Sequence, residues 1–182
     1  MRIIAGQYRN RTIKAPNGLL TRPSTDRVRE SLFNLVQHRM DLDEARVLDL
    51  FAGTGALGLE AISRGARSST FVELNGKVLR VARANAESLG VERQCLFVRT
   101  NAIRFIERSS GATYDLVLAD PPYDLDVLTE LPERVQPMVA EGGLFVLEHD
   151  ARHHFDEHPH LDTSRPYGRT IVSIFRFPNP TP

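Results

Sequence analysis

An open, mostly parallel α/β sheet with helices on both faces is the fold this sequence predicts, and three observations predict it. Short apolar runs alternate with helix-like segments from residue 45 onward. The first run passes through a glycine-rich turn into a helix, Asp49-Leu50-Phe51-Ala52-Gly53-Thr54-Gly55-Ala56-Leu57-Gly58. The fourth, Tyr114-Asp115-Leu116-Val117-Leu118-Ala119, ends abruptly in Asp120-Pro121-Pro122-Tyr123. With 182 residues, 41% of them hydrophobic, the chain suits one domain with a sizeable core.

The elements follow in order. Residues 2–6 and 11–15 read as the arms of a β-hairpin, too small to stand alone and so expected to lean on the rest. A turn follows at Pro16-Asn17-Gly18. A helix then starts at Thr25 or Asp26, either of which can cap it, with Val28, Leu32, Leu35 and Val36 on one face. Strands are expected at 47–50, 69–73, 96–98, 116–119 and 144–148, the last after a Gly142-Gly143 turn. Helices are expected between them at 57–64, 77–89 with Gly90 as C-cap, 102–107 and 127–135. Residues 170–177 alternate in polarity like a strand. Residues 149–166 give no clear element; they hold five of the six histidines, but without a ligand spacing, and no metal is expected. Asn179-Pro180-Thr181-Pro182 reads as a frayed tail.

Composition excludes several classes. No run approaches the roughly 18 apolar residues of a membrane span, and no secretory signal is visible at the start. Cys95 is the only cysteine, so an intrachain disulfide and a cysteine-built zinc site are excluded. A cytoplasmic protein is expected. The net charge of zero hides an asymmetry: residues 1–40 carry eight Lys or Arg and two acids, a net +6, and the remainder carries −6. One basic end on an otherwise acidic domain points to a polyanion docked there. Arg27 and Arg29 fall in the first turn of the N-terminal helix, where the dipole disfavours cations; an anionic partner would relieve that.

The two motifs carry the chemistry. Proline fixes its own φ and restricts its predecessor, so Asp120 and Pro121 are held extended, with carboxylate and carbonyl free to point the same way. Tyr123 adds a flat ring. Together they make a slot for a planar group, with acceptors for an amino group and a face for stacking. The glycine stretch, taken as G-x-G-x-x-G, also fits a dinucleotide site. Two features argue against that. Asp49 puts an acid where a pyrophosphate is unwelcome, and the slot has no use in hydride transfer. S-adenosylmethionine satisfies both motifs: its amino group faces Asp49, its ribose hydroxyls face Glu73 at the end of the next strand, and its methyl points toward Tyr123.

Asp49–Gly55, Glu73 and Asp120–Tyr123 resemble, in this order and spacing, class I S-adenosylmethionine-dependent methyltransferases that modify exocyclic amines. Arg2-Ile3-Ile4-Ala5-Gly6 and Arg22-Pro23-Ser24-Thr25-Asp26-Arg27-Val28-Arg29-Glu30-Ser31-Leu32-Phe33-Asn34 resemble the RsmD family, which methylates N2 of a guanine in bacterial 16S ribosomal RNA. Tyr167-Gly168 is similar to a pair near that family's C-terminus. The resemblance implies a Rossmann-like class I methyltransferase fold over 41–178, with residues 1–40 as a basic, RNA-facing extension. It implies a monomer acting on ribosomal RNA or the assembling small subunit. Asp120, Pro121, Pro122 and Tyr123 would form the catalytic slot. Asp49, Phe51, Ala52, Gly53, Thr54, Gly55, Glu73, Asn101 and Ala102 would hold the cofactor, and Arg9, Arg11, Arg22, Arg27 and Arg29 the RNA. Two positions depart from the pattern: Asn101 stands where an acid usually reads the adenine amine, and Arg169 where an acid usually follows Tyr-Gly. The slot alone leaves other readings open: an adenine or a protein glutamine as target, or a non-catalytic nucleotide- or RNA-binding module.

Overall fold

The structure is a computed structural model that describes residues 1–15, 23–109 and 111–178. The expected turn at 16–18, Arg22 and the tail lie outside the described residues, as does the side chain of Thr25.

Seven strands form one sheet: β1 (Arg46–Leu50), β2 (Ser68–Glu73), β3 (Cys95–Arg99), β4 (Tyr114–Ala119), β5 (Val139–His149), β6 (Leu161–Tyr167) and β7 (Thr170–Phe175). Their spatial order is β3-β2-β1-β4-β5-β7-β6. The first five run parallel, and β7 and β6 are antiparallel additions at one edge. Helices α1 (Pro23–Gln37), α2 (Ala56–Ser63), α3 (Gly76–Leu89), α4 (Ala102–Arg108) and α5 (Leu131–Val135) complete the layers. The order of strands reverses beside β1, and in open α/β sheets a ligand lies outside the strand ends at such a switch point.

Strand alternation sorts the core onto two faces. Leu48, Leu50, Val117, Ala119, Phe145 and Leu147 pack with Ile106 of α4 and Leu131 and Val135 of α5. Val47, Leu116, Leu118, Leu144 and Val146 lie under Val28, Leu32, Phe33 and Val36 of α1. Side chains of the second set share a face with Asp49, which is 1% exposed.

Residues 1–15 form no regular strand pair. One antiparallel bridge joins Arg2 and Thr12, and Ile3 and Ile13 are buried against Leu59 and Ile62 of α2 and Leu79 of α3. The segment is bolted down through α2. Glu60, fully buried, accepts the N–H groups of Ile4 at 2.8 Å and Ala5 at 3.0 Å, while Gln7 donates to the Ser63 carbonyl at 2.7 Å. A Cβ at Gly6 would lie 1.8 Å from the Ser63 carbonyl oxygen, so no larger residue fits that crossing.

Three further expectations change. The helix at 127–135 is only α5, flanked by 3-10 turns at Leu128–Glu130 and Gln136–Met138; Pro132 and Pro137 break the ladder. Gly142 and Gly143 lie inside β5 rather than in a turn before it, where the register with β4 shifts. The unassigned stretch contains β6, an edge strand on which Pro166 is tolerated.

Candidate active site

The site sits at the C-terminal ends of β1, β2 and β4. The chain leaves β1 through Phe51 at φ 60°, a left-handed conformation that is uncommon for a residue with a large side chain. Gly53 (φ 55°) and Gly55 (φ 78°) follow, and Gly55 opens α2 with no side-chain cap. Besides the Gly55 N–H on the Ala52 carbonyl at 2.8 Å, four bonds hold this turn. Ala52 donates to the Val72 carbonyl at 2.9 Å, and Gly53 donates to Glu73 Oε2 at 3.0 Å. Gly58 donates to Asp49 Oδ2 at 2.9 Å, and the Thr54 carbonyl accepts from Asn85 Nδ2 at 3.0 Å.

Asp49 therefore clasps the start of α2 from below. Burial pushes its carboxyl up to about 7, against the pull of the Gly58 N–H, and Asp120 and Glu73 push it further the same way. Glu73 is half-buried and uses both oxygens, Oε2 on Gly53 and Oε1 on the Asn75 N–H at 2.7 Å. Asn101 caps α4, its Oδ1 accepting the Arg104 N–H at 3.1 Å, with buried Ala102 beside it.

Asp120 is solvent-accessible, yet the protein packed around it pushes its carboxyl up to about 6 by desolvation. Pro121 is buried and Pro122 exposed. The Tyr123 hydroxyl shares a hydrogen bond of 3.1 Å with Thr170 of β7, and its carbonyl accepts from Arg152 at 3.2 Å. The hydroxyl and the backbone of Tyr123 are thus both tied to the C-terminal part of the chain. Desolvation raises the Tyr123 phenol, so it stays protonated at neutral pH.

Of the expected RNA-facing cations, Arg9, Arg11 and Arg27 are exposed, and Arg11 reaches the Ser88 carbonyl at 2.6 Å. Arg29 is corrected. It is 4% exposed, donates to the Arg2 carbonyl and to Asp26, and lies 3.6 Å from Glu60. It braces the N-terminal segment from inside and offers a phosphate no surface.

Sequence reasoning missed Thr170, Arg152, Asn85 and Glu148. Only Glu148 left a signal: like Asp120, it is an acid that closes an apolar strand run.

Comparison with known proteins agrees with this geometry. The family model described as conserved hypothetical protein 95 matches residues 1–176. "Putative rRNA methyltransferase YlbH" of Bacillus subtilis is 35% identical over 97% of this chain and 98% of its own length. "Ribosomal RNA small subunit methyltransferase D" of Escherichia coli K12 is 39% identical over 130 residues, 71% of this chain and 64% of that protein. Among solved structures, a "Putative methyltransferase yhhF" from Escherichia coli superposes with a TM-score of 0.85 at 32% identity, covering 98% of both chains. Matches of this extent, with the glycine turn and the Asp-Pro-Pro-Tyr slot on one sheet edge, place the chain in the RsmD-like family of methyltransferases.

Proposed function

We propose that the protein transfers a methyl group from S-adenosylmethionine to the exocyclic N2 amine of a guanine in small-subunit (16S) ribosomal RNA. The observation that carries this reading is Asp120 at the end of β4, beside the proline-fixed Pro121 carbonyl and one strand from the glycine turn. The names borne by the relatives supply the RNA.

The donor set fits the cofactor. Asp49, Asp120 and Glu73 crowd carboxylates at one sheet edge, which calls for a ligand rich in N–H and O–H donors and in positive charge. A Cβ on Gly53 would meet only the Phe51 carbonyl oxygen at 3.9 Å, so a ligand can approach the turn. Asp49 and the turn at Phe51, Ala52, Gly53, Thr54 and Gly55 would hold the amino-acid end. Glu73 keeps lone pairs for a ribose hydroxyl pair, and Asn101 with Ala102 would border the adenine. The bound cofactor supplies a methyl on a sulfonium, already a strong electrophile.

The protein's own task is the nucleophile. The guanine N2 lone pair is delocalised into the ring and attacks poorly. Asp120 and the Pro121 carbonyl accept the two amine hydrogens, an arrangement that fits a pyramidal nitrogen better than a planar one and so favours the transition state. Alignment supplies the rest. The methylated nitrogen then carries one proton too many, which passes to Asp120 and on to water. The target leaves its stack to enter the slot, and the Tyr123 ring, held by Thr170, replaces its lost neighbour. Arg9, Arg11 and Arg27 grip flanking phosphates.

Mass mapping of ribosomal RNA from a strain lacking the gene tests this. One N2-methylguanine in 16S RNA should disappear and return with the wild-type gene. An unchanged modification profile would overturn the proposal.

A further inference from the structure

Glu148 is the one acid at the site with no task so far. It lies on β5, where Leu147 pairs with Ala119 of β4, so Glu148 stands beside Asp120 one strand over, at the spacing of about 4.8 Å between adjacent strands. Strand alternation turns it to the face that also carries Leu118, Val146 and Asp49, the face that α1 covers. It is 9% exposed, and among the described residues its carboxylate has no hydrogen-bond partner. A carboxyl nearly enclosed by protein, with no protein donor on it, is open to a donor that a ligand brings.

We infer that Glu148 determines which base the slot accepts, by taking a hydrogen bond from the ring N1–H of the guanine whose N2 amine Asp120 holds. The inference rests on the guanine reading above and adds to it how guanine is chosen. The Watson–Crick edge of guanine carries two adjacent donor groups, the N2 amine and N1–H. Two acceptors side by side on neighbouring strands match that array. Adenine carries its amine next to an acceptor nitrogen, which a carboxylate at Glu148 repels. The same contact enriches the ring in electron density and sharpens N2 as a nucleophile. Burial, then Asp120 and Asp49, push the Glu148 carboxyl well up while Arg29 pulls it down, so a bound N1–H donor would be what favours its ionised form.

The test uses small-subunit particles reconstituted with RNA carrying either guanine or 2-aminopurine at the mapped position. 2-Aminopurine keeps the N2 amine but offers N1 as a bare acceptor. Wild type should favour guanine in kcat/KM by about 10-fold or more. Glu148→Gln, whose amide can donate to that bare nitrogen, should lose roughly 10-fold or more on guanine and bring the ratio of the two substrates near one, with S-adenosylmethionine affinity unchanged. A ratio that does not move overturns the inference. Glu148→Asp keeps the charge near Arg29 but withdraws the carboxylate by one methylene. It should lose kcat/KM on guanine, and wild-type turnover would show that Glu148 only balances Arg29, which also overturns the inference. Failure of the guanine reading is a separate outcome: the mapped nucleotide would not be guanine, before Glu148 is touched.

Discussion

Asn85 of α3 treats Lys14 as a strand would. Its Oδ1 accepts the Lys14 N–H at 2.7 Å, and its Nδ2 returns a bond to the Lys14 carbonyl at 3.0 Å. The same Nδ2 also holds the Thr54 carbonyl in the glycine turn. One buried amide therefore ties the basic N-terminal segment to the loop proposed to carry the cofactor. Asn85→Ala should cost about 2–4 kcal/mol of stability, since it leaves buried polar groups unpaired. It should also weaken S-adenosylmethionine and RNA binding together. Chemical unfolding and calorimetry measure both; weaker binding of only one ligand would mean the two regions are not linked through this side chain.

Glu73→Ala should weaken S-adenosylmethionine by about 1–3 kcal/mol. Part of the loss comes from the ribose contact and part from freeing the Gly53 N–H. Glu73→Gln separates the two, because its oxygen can still accept from Gly53. Unchanged affinity in the alanine variant would leave Glu73 as a strand-end brace only.

Asp120→Ala should nearly abolish methyl transfer while leaving cofactor affinity within a few-fold. The wild-type rate should rise with pH through about 6, the value to which Asp120 is pushed, because only the ionised carboxylate accepts both as base and as hydrogen-bond partner. A flat profile between pH 5 and pH 7 would remove Asp120 from the rate-determining ionisation.

Asp49 sets a stability trend of the opposite kind. Its native pKa, about 7, lies above the 3.8 of a free aspartate carboxyl, so between those limits the native state binds more protons than the unfolded one. Stability contributed by that proton is present at low pH and is lost as pH rises through the window. Asp49→Asn should flatten the slope, leaving the part that Asp120 and Glu148 contribute, as read from thermal unfolding of both proteins at several pH values. Parallel curves would show that Asp49 is not the titrating group.

Neutralising Arg9 and Arg11 together should weaken RNA binding without touching cofactor binding. Each lost phosphate contact should remove roughly 0.7–0.9 from the slope of log affinity against log salt. Lines of equal slope and intercept would show that this segment does not carry the RNA. Arg29 is no substitute for this test, because its loss would break an internal brace.

The parallel core was legible because its strands are buried on both faces and read as unbroken apolar runs such as Leu116–Ala119. The two site motifs were legible because glycine and proline restrict the backbone wherever they occur. β6 was not: only Thr163 in it is fully buried, so an edge strand of Leu161-Asp162-Thr163-Ser164-Arg165-Pro166-Tyr167 shows no alternation. Arg29 was readable in principle. It stands three, four and seven residues before Leu32, Phe33 and Val36, in phase with the buried stripe of α1 rather than with its solvent face. Glu60 is likewise an acid set among the buried residues of α2. For Arg29 the charge suggested surface, and for both residues pairing in the structure explains burial.

The seat of Ile4 and Ala5 on Glu60 also bears on the order in which the chain can acquire its shape. During synthesis the first fifteen residues emerge long before α2, and Ile3 and Ile13 have no apolar shelter until α3 is also free. Segment 1–15, made before α2 and α3, is thus bound to settle late, after the first two strands have a helix between them. Its hydrogen bonds run to α1, α2 and α3 rather than to the strands, so this segment is placed to detach and return while the strands remain paired.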